Sequence, residues 1–138
     1  MKYLRFIILP SVICFLLNCS EDQNDTQGDT GWKGSTNEFN EKFKKNIDAD
    51  STTILFDSKT DDKFEGILET NDSSLMSKQT YKSGKLNGES SLTSTNGARV
   101  EANYKEGKLH GKMILRDSDG NIRSVITYDK GKISPAIK

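Results

Sequence analysis

Among 138 residues there are only two cysteines, one histidine and two prolines. Cys14 lies in the apolar stretch at the start of the chain, so Cys19 stands alone and no disulfide framework can form. The single histidine, His110, has no second imidazole or thiol to work with. No HExxH, GxSxG or phosphate-loop spacing occurs, and the sequence supplies no catalytic set and no cofactor site. An excess of one charge is also lacking. Lys and Arg number 20 against 20 Asp and Glu, which gives no cationic field for nucleic acid. With apolar residues at 33 %, about 100 ordered residues make one domain with a thin core.

What is present is repetition. YKSGKLNG at Tyr81 returns as YKEGKLHG at Tyr104 and as YDKGKISP at Tyr128, intervals of 23 and 24 residues. A fainter copy ends in KFEG, where Phe64 and Gly66 take the places of Leu86 with Gly88 and Leu109 with Gly111. Periods of this length signify an array. Between the copies apolar residues alternate with polar ones, as in Ala98, Val100, Ala102 and Tyr104 or Leu109, Met113 and Leu115. Period two is the mark of a strand, and the X-Gly pairs at Ser83, Asn96, Glu106, Asp119 and Lys130 mark hairpin turns. The expected fold is mostly β: an antiparallel hairpin meander in an elongated sheet, with one short N-terminal helix.

Loop lengths then set a register. Two-residue loops at Glu106–Gly107 and Asp119–Gly120 place Tyr104 opposite Leu109, Ala102 opposite Gly111, Val100 opposite Met113, and Gly111 opposite Tyr128. A three-residue loop at 95–97 places Gly88 opposite Tyr104, and a four-residue loop near Asp72 places Gly66 opposite Tyr81. Every repeat glycine meets a repeat tyrosine, whose ring can cover the bare backbone.

These residues resemble the MORN-type repeats of the YwqK family, which carries an antitoxin label and whose repeat reads approximately YxxGKLxGxxxxYxxxGxxxxxxxY. The likeness spans about residues 60–134, with Leu92 and Leu115 in place of the usual mid-repeat aromatic. The resemblance implies a hairpin array used for binding or scaffolding and offers no catalytic residues to carry over.

Residues 1–18 read as a signal peptide: Lys2 and Arg5, then an apolar run from Phe6 to Leu17. Leu16, Leu17, Asn18 and Cys19 look like a lipobox, in which Cys19 is acylated after cleavage; Asn18 departs from the usual small residue. Acylation would hold the protein to a membrane of the bacterial envelope, the outer membrane or surface before the inner, without a spanning helix. Residues 19–35 are polar apart from Trp32 and read as a disordered tether.

Ser35 and Glu38 have capping-box spacing, and Phe39, Phe43 and Ile47 fall on one helical face, which predicts a helix over about 36–47 within a segment 36–50. Residues 52–57 and 63–70 read as strands that open the repeat domain, 51–138, and join its sheet. Pro135 replaces the next repeat glycine and ends the array. His110, in the variable place of KLHG, reads as a solvent-facing strand residue. The run from Asp117 to Asn121 shares part of a calcium-loop spacing but lacks the later bidentate Glu, so it reads as a turn and no metal site is assigned.

A partner surface is expected on the face away from the tyrosines. There Ile114 would lie between Arg99 and Val125, with Arg116 opposite Arg123, Glu101 opposite Lys112 and His110 opposite Asp129. An apolar pair rimmed by arginines has the composition of an interface centre. The sequence thus describes a lipid-anchored, non-catalytic binding module with a protein partner. An immunity protein against a toxin and a membrane-lipid-binding module are the alternatives.

Overall fold

The computed structural model describes residues 31–134. Eight strands form one sheet in the order β1 (Trp32–Gly34), β4 (Gly66–Asn71), β5 (Leu75–Lys82), β6 (Lys85–Ser94), β7 (Arg99–Lys105), β8 (Lys108–Arg116), β9 (Ile122–Asp129) and β10 (Lys132–Ile133). All neighbours are antiparallel except β1, which runs parallel to β4. A helix, α1 (Thr36–Lys42), and a separate hairpin, β2 (Phe43–Ile47) with β3 (Thr53–Asp57), complete the fold.

The meander forms because its turns are type I′, whose twist matches that of the flanking strands. At 83–84, 106–107 and 130–131 both residues sit at positive φ: Ser83 50° with Gly84 78°, Glu106 54° with Gly107 79°, Lys130 48° with Gly131 82°. Each turn glycine also donates its N–H to the carbonyl of the preceding copy, Gly84 to Phe64, Gly107 to Leu86 and Gly131 to Leu109, all at 2.8 Å. One copy is therefore stitched to the next through the residues that recur in the sequence.

The glycine and tyrosine pairing is present at Gly66 with Tyr81, Gly88 with Tyr104 and Gly111 with Tyr128. Between β7 and β8 the register beyond it differs from the two-residue-loop expectation, while Met113 faces Ile126 and Leu115 faces Ser124 as that expectation has it. Ala102 faces Met113 and Val100 faces Leu115, because His110, Gly111 and Lys112 together span the width of Asn103. Thr80 is opposed in the same way by Asn87, Gly88 and Glu89. The repeat glycine stands at the centre of each bulge at positive φ, 106° at Gly88 and 89° at Gly111, where a side chain would be strained. It is there for backbone shape as well as for the tyrosine. Two extra residues leave the parity intact, so the β7 and β8 side chains on either side of the bulge stay on their expected faces.

The N-terminal part departs further. Ser35 and Glu38 do form a capping box, with the Ser35 N–H donating to Glu38 Oε2 at 2.7 Å, but the helix stops at Lys42. Phe43–Ile47 extend instead and pair residue for residue with β3, leaving Ile47 78 % exposed. Five ladder pairs in the hairpin override the helical preference of Lys44 and Lys45. β3 does not join the array; of the expected strand 63–70, residues 66–70 do so as part of β4, while Lys63 bridges Phe56 of β3. β3 lies along the turn end: the Leu55 N–H donates to Gly84 O at 2.8 Å, and Phe64 N–H to Leu55 O at 3.0 Å.

Trp32, expected in a disordered tether, lies in a strand beside Leu68. Its ring is 5.3 Å from that of Phe43 and 6.1 Å from that of Phe39, and this aromatic burial overcomes the polar surroundings. The core cluster is Phe43, Leu55, Leu68 and Tyr81, with Trp32, Phe39, Phe64 and Leu86 packed against it. The helix and hairpin form a cap on one face of the sheet at its β4 to β6 side.

Candidate binding faces of the sheet

The register divides the meander into two faces of different chemistry. On the face away from the tyrosines one row across the strands reads Lys33, Glu69, Lys78, Ser91, Glu101, Ile114 and Val125. Glu69 bridges Lys78 at 2.9 Å and Lys33 at 3.4 Å, and the lysine hydrogen bond and charge hold its carboxyl below the ordinary value. A trough of about 490 Å³ crosses this face, walled by Lys78, Glu89, Arg99, Glu101 and Lys112 among others.

The expected partner residues lie here, in a different arrangement. Ile114 is opposite Val125, as predicted, and Val125 is 49 % exposed. Its other neighbour is Glu101 rather than Arg99, and Arg99 faces Arg116. Arg116 faces Ile122 rather than Arg123, because 117–121 form a five-residue loop in place of a two-residue one. Each arginine also has an internal carboxylate. Glu101 takes Arg99 at 3.1 Å and Arg116 at 3.4 Å, and Asp117 takes Arg123 at 2.9 Å. The arginines thus brace the sheet and its loop instead of standing free around an apolar centre.

Asp117 shows why the loop lengthens. Its carboxylate accepts the N–H groups of Asn121 at 2.8 Å and Asp119 at 3.1 Å, an Asx turn that fixes the loop locally. Burial pushes its pKa up, but the bonds from Asn121 and Asp119 and the Arg123 charge outweigh that and leave it below the ordinary value. Among the described residues no three His, Cys, Asp or Glu side chains converge as metal ligands would. His110 Nδ1 lies 3.2 Å from Asp129 Oδ1, the cross-strand pairing expected from the sequence.

The tyrosine face is different. Over β6 to β9 it presents the row Ser90, Ala102, Met113, Ile126 and the row Leu92, Val100, Leu115, Ser124, with Tyr104 and Tyr128 beside them. None of these carries a charge. Burial, with a further push from Tyr104, raises the Tyr81 hydroxyl to about 12, and burial and then Tyr128 raise that of Tyr104. The three tyrosines hold equivalent register positions on this face, each opposite a repeat glycine. The cap packs on it over β4 and β6, and no described helix or strand lies across β7 to β9 in the same way. At the end of β6 away from the cap Leu92 is 41 % exposed, whereas the small Ala102 on β7 is 8 % exposed. The absence of charge on this face is written in the side-chain alternation of the sequence.

No described helix is long and apolar enough to cross a membrane. Cys19 lies outside the described residues. No family model matches the chain, and neither the curated proteins nor the solved structures yield a match.

Proposed function

We propose that this is a lipid-anchored protein of the bacterial envelope, held through acylated Cys19, whose MORN-like repeat array is a non-catalytic binding module. The observation that carries the binding role is the charge-free half of the tyrosine face over β7 to β9. Monomeric proteins rarely leave a contiguous apolar patch open without a use for it. The anchoring role rests on the apolar start of the chain and the Leu-Leu-Asn-Cys run that closes it.

The strand β1 supports joining the two roles. It runs parallel to β4, with Trp32 beside Leu68 and Gly34 beside Thr70, so the chain enters the sheet from the end that carries the type I′ turns. The test is detergent-phase partitioning of the protein made in a bacterial host, with and without a signal-peptidase II inhibitor. The wild type should partition with detergent and accumulate as precursor under the inhibitor, and Cys19→Ala should enter the aqueous phase with its fold unchanged. Equal partitioning of both proteins removes the anchor.

A further inference from the structure

We infer that the outer edge of β9 is the docking site of the chain's own residues 135–138, which continue β10 along it and close that edge of the array. The segment lies outside the described residues; the edge does not. β10 pairs Lys132 with Asp129 and Ile133 with Tyr128, and the Ser134 N–H then donates to Thr127 O at 2.8 Å. There the described ladder stops, and no described strand lies outside β9 at Val125 or Arg123. Antiparallel strands bond to one side at every second residue. Since the Thr127 carbonyl turns toward β10, the N–H and C=O groups of Val125 and Arg123 turn the same way. A row of this kind is met by an extended chain, which offers acceptors and donors at the same spacing.

Sequence and register agree residue by residue. Carried on from Ser134 and Thr127, the register sets Pro135 opposite Ile126, Ala136 opposite Val125, Ile137 opposite Ser124 and Lys138 opposite Arg123. Proline has no N–H to give. Position 135 is one whose N–H would point away from β9, where none is needed, and edge strands admit proline at such places. Ala136 is then the residue whose backbone meets that of Val125. The side chains alternate to match: Ile133, Pro135 and Ile137 fall on the uncharged tyrosine face, Ser134 and Lys138 on the charged one. The row Ala102, Met113, Ile126 gains Pro135, and the row Val100, Leu115, Ser124 gains Ile137.

Pro135 then acts on the far side as well. Its bare nitrogen faces outward, so the new edge offers a further strand one donor fewer, a device by which sheets avoid pairing with their neighbours. The array ends with a guarded strand rather than with an open one. A partner is left the faces of the sheet and not the β9 edge.

Amide hydrogen exchange of the full chain in detergent micelles, read by NMR, is the experiment. The Val125 N–H should exchange at least roughly ten-fold more slowly than the Ser118 N–H of the exposed loop. Ala136→Pro removes the N–H that meets the Val125 carbonyl, and should return Val125 to the loop rate. Pro135→Ala should leave the protection in place. Ile126, whose N–H turns inward to β8, should stay protected in all three proteins and so report an intact fold. Fast exchange at Val125 in the wild type overturns the inference. So does protection that survives Ala136→Pro, because residues 1–30 or a second copy then cover the edge, and so does a loss in Pro135→Ala as complete as that in Ala136→Pro.

Discussion

The two halves of the tyrosine face are built from the same repeat, share the same turn type and carry equivalent residues, yet one is covered and the other is open. Tyr81 under the cap is 9 % exposed, and Leu68 is 1 % exposed. Leu92 further along the same face is 41 % exposed. The repeats thus decide turns, stitching and face, while burial is decided by the non-repetitive segment 32–64 that folds over only one side. Stability and binding are separated by that segment.

The comparison breaks most readily at the cap. Phe43 touches three rings, with centroids 5.3 Å from Trp32, 5.3 Å from Phe39 and 5.1 Å from Phe64. Phe43→Ala should cost about 3–5 kcal/mol, a large share of the ~5–15 kcal/mol that holds a domain of this size. Chemical denaturation measures it. A loss under about 1 kcal/mol would mean that the cap is not what supports the covered half.

Equivalent tyrosines sharpen the contrast. Tyr81→Ala empties a buried site whose hydroxyl also bonds Gln79 at 3.1 Å, and should cost ~3 kcal/mol. Tyr104→Ala, in the open half and half-buried, should cost roughly half as much. Equal losses would mean that the two halves are covered alike.

Turn glycines give a smaller pair. A Cβ at Gly107 would stand 1.9 Å from Thr52 Cγ2, whereas at Gly120 it would meet nothing within 4 Å, and both have positive φ. Each alanine bears about 1–2 kcal/mol of left-handed strain, and Gly107→Ala must displace buried Thr52 as well. It should unfold at the lower temperature of the two.

The smallest effect is the share of the pH dependence that Asp57 of the cap contributes. The Lys42 hydrogen bond, then the Lys59 N–H, lower the Asp57 carboxyl to about 2, with Lys42 Nζ at 2.6 Å. A depressed carboxyl stabilises the fold above its ordinary value, and that contribution is lost as pH falls from about 4 toward 2. Lys42→Met should flatten the stability curve in that window and leave it unaltered near neutrality apart from a constant offset. Curves of identical shape would contradict the assignment.

Much of this was legible in the sequence, for reasons that differ by residue. The Gly and Tyr pairing could be read because loop length and period two fix register between near neighbours. The two-residue slip at Gly111 could not, since a bulge needs positive φ and the letter G alone does not separate a bulge from a covered gap. The short helix was visible in Ser35 and Glu38, but its end was not. Phe43 fits a helical face and a strand equally well, and its partner β3 lies ten residues away. Trp32 was lost to composition: one aromatic in a polar run looks solvated until Phe39, Phe43 and Leu68 converge on it. The arrangement of the arginines was not legible, because the carboxylates Glu101 and Asp117 that pair with them are brought beside them by the bulge at Gly111 and the five-residue loop.

The claim that cover, not repeat, separates the two halves is tested most directly by thermal unfolding of one substitution made at two places on one face. Leu68→Lys should abolish cooperative unfolding, because it puts an unpaired charge under the cap. Leu92→Lys should melt within a degree or two of the wild type, as surface changes do. Comparable losses at both positions would contradict the account.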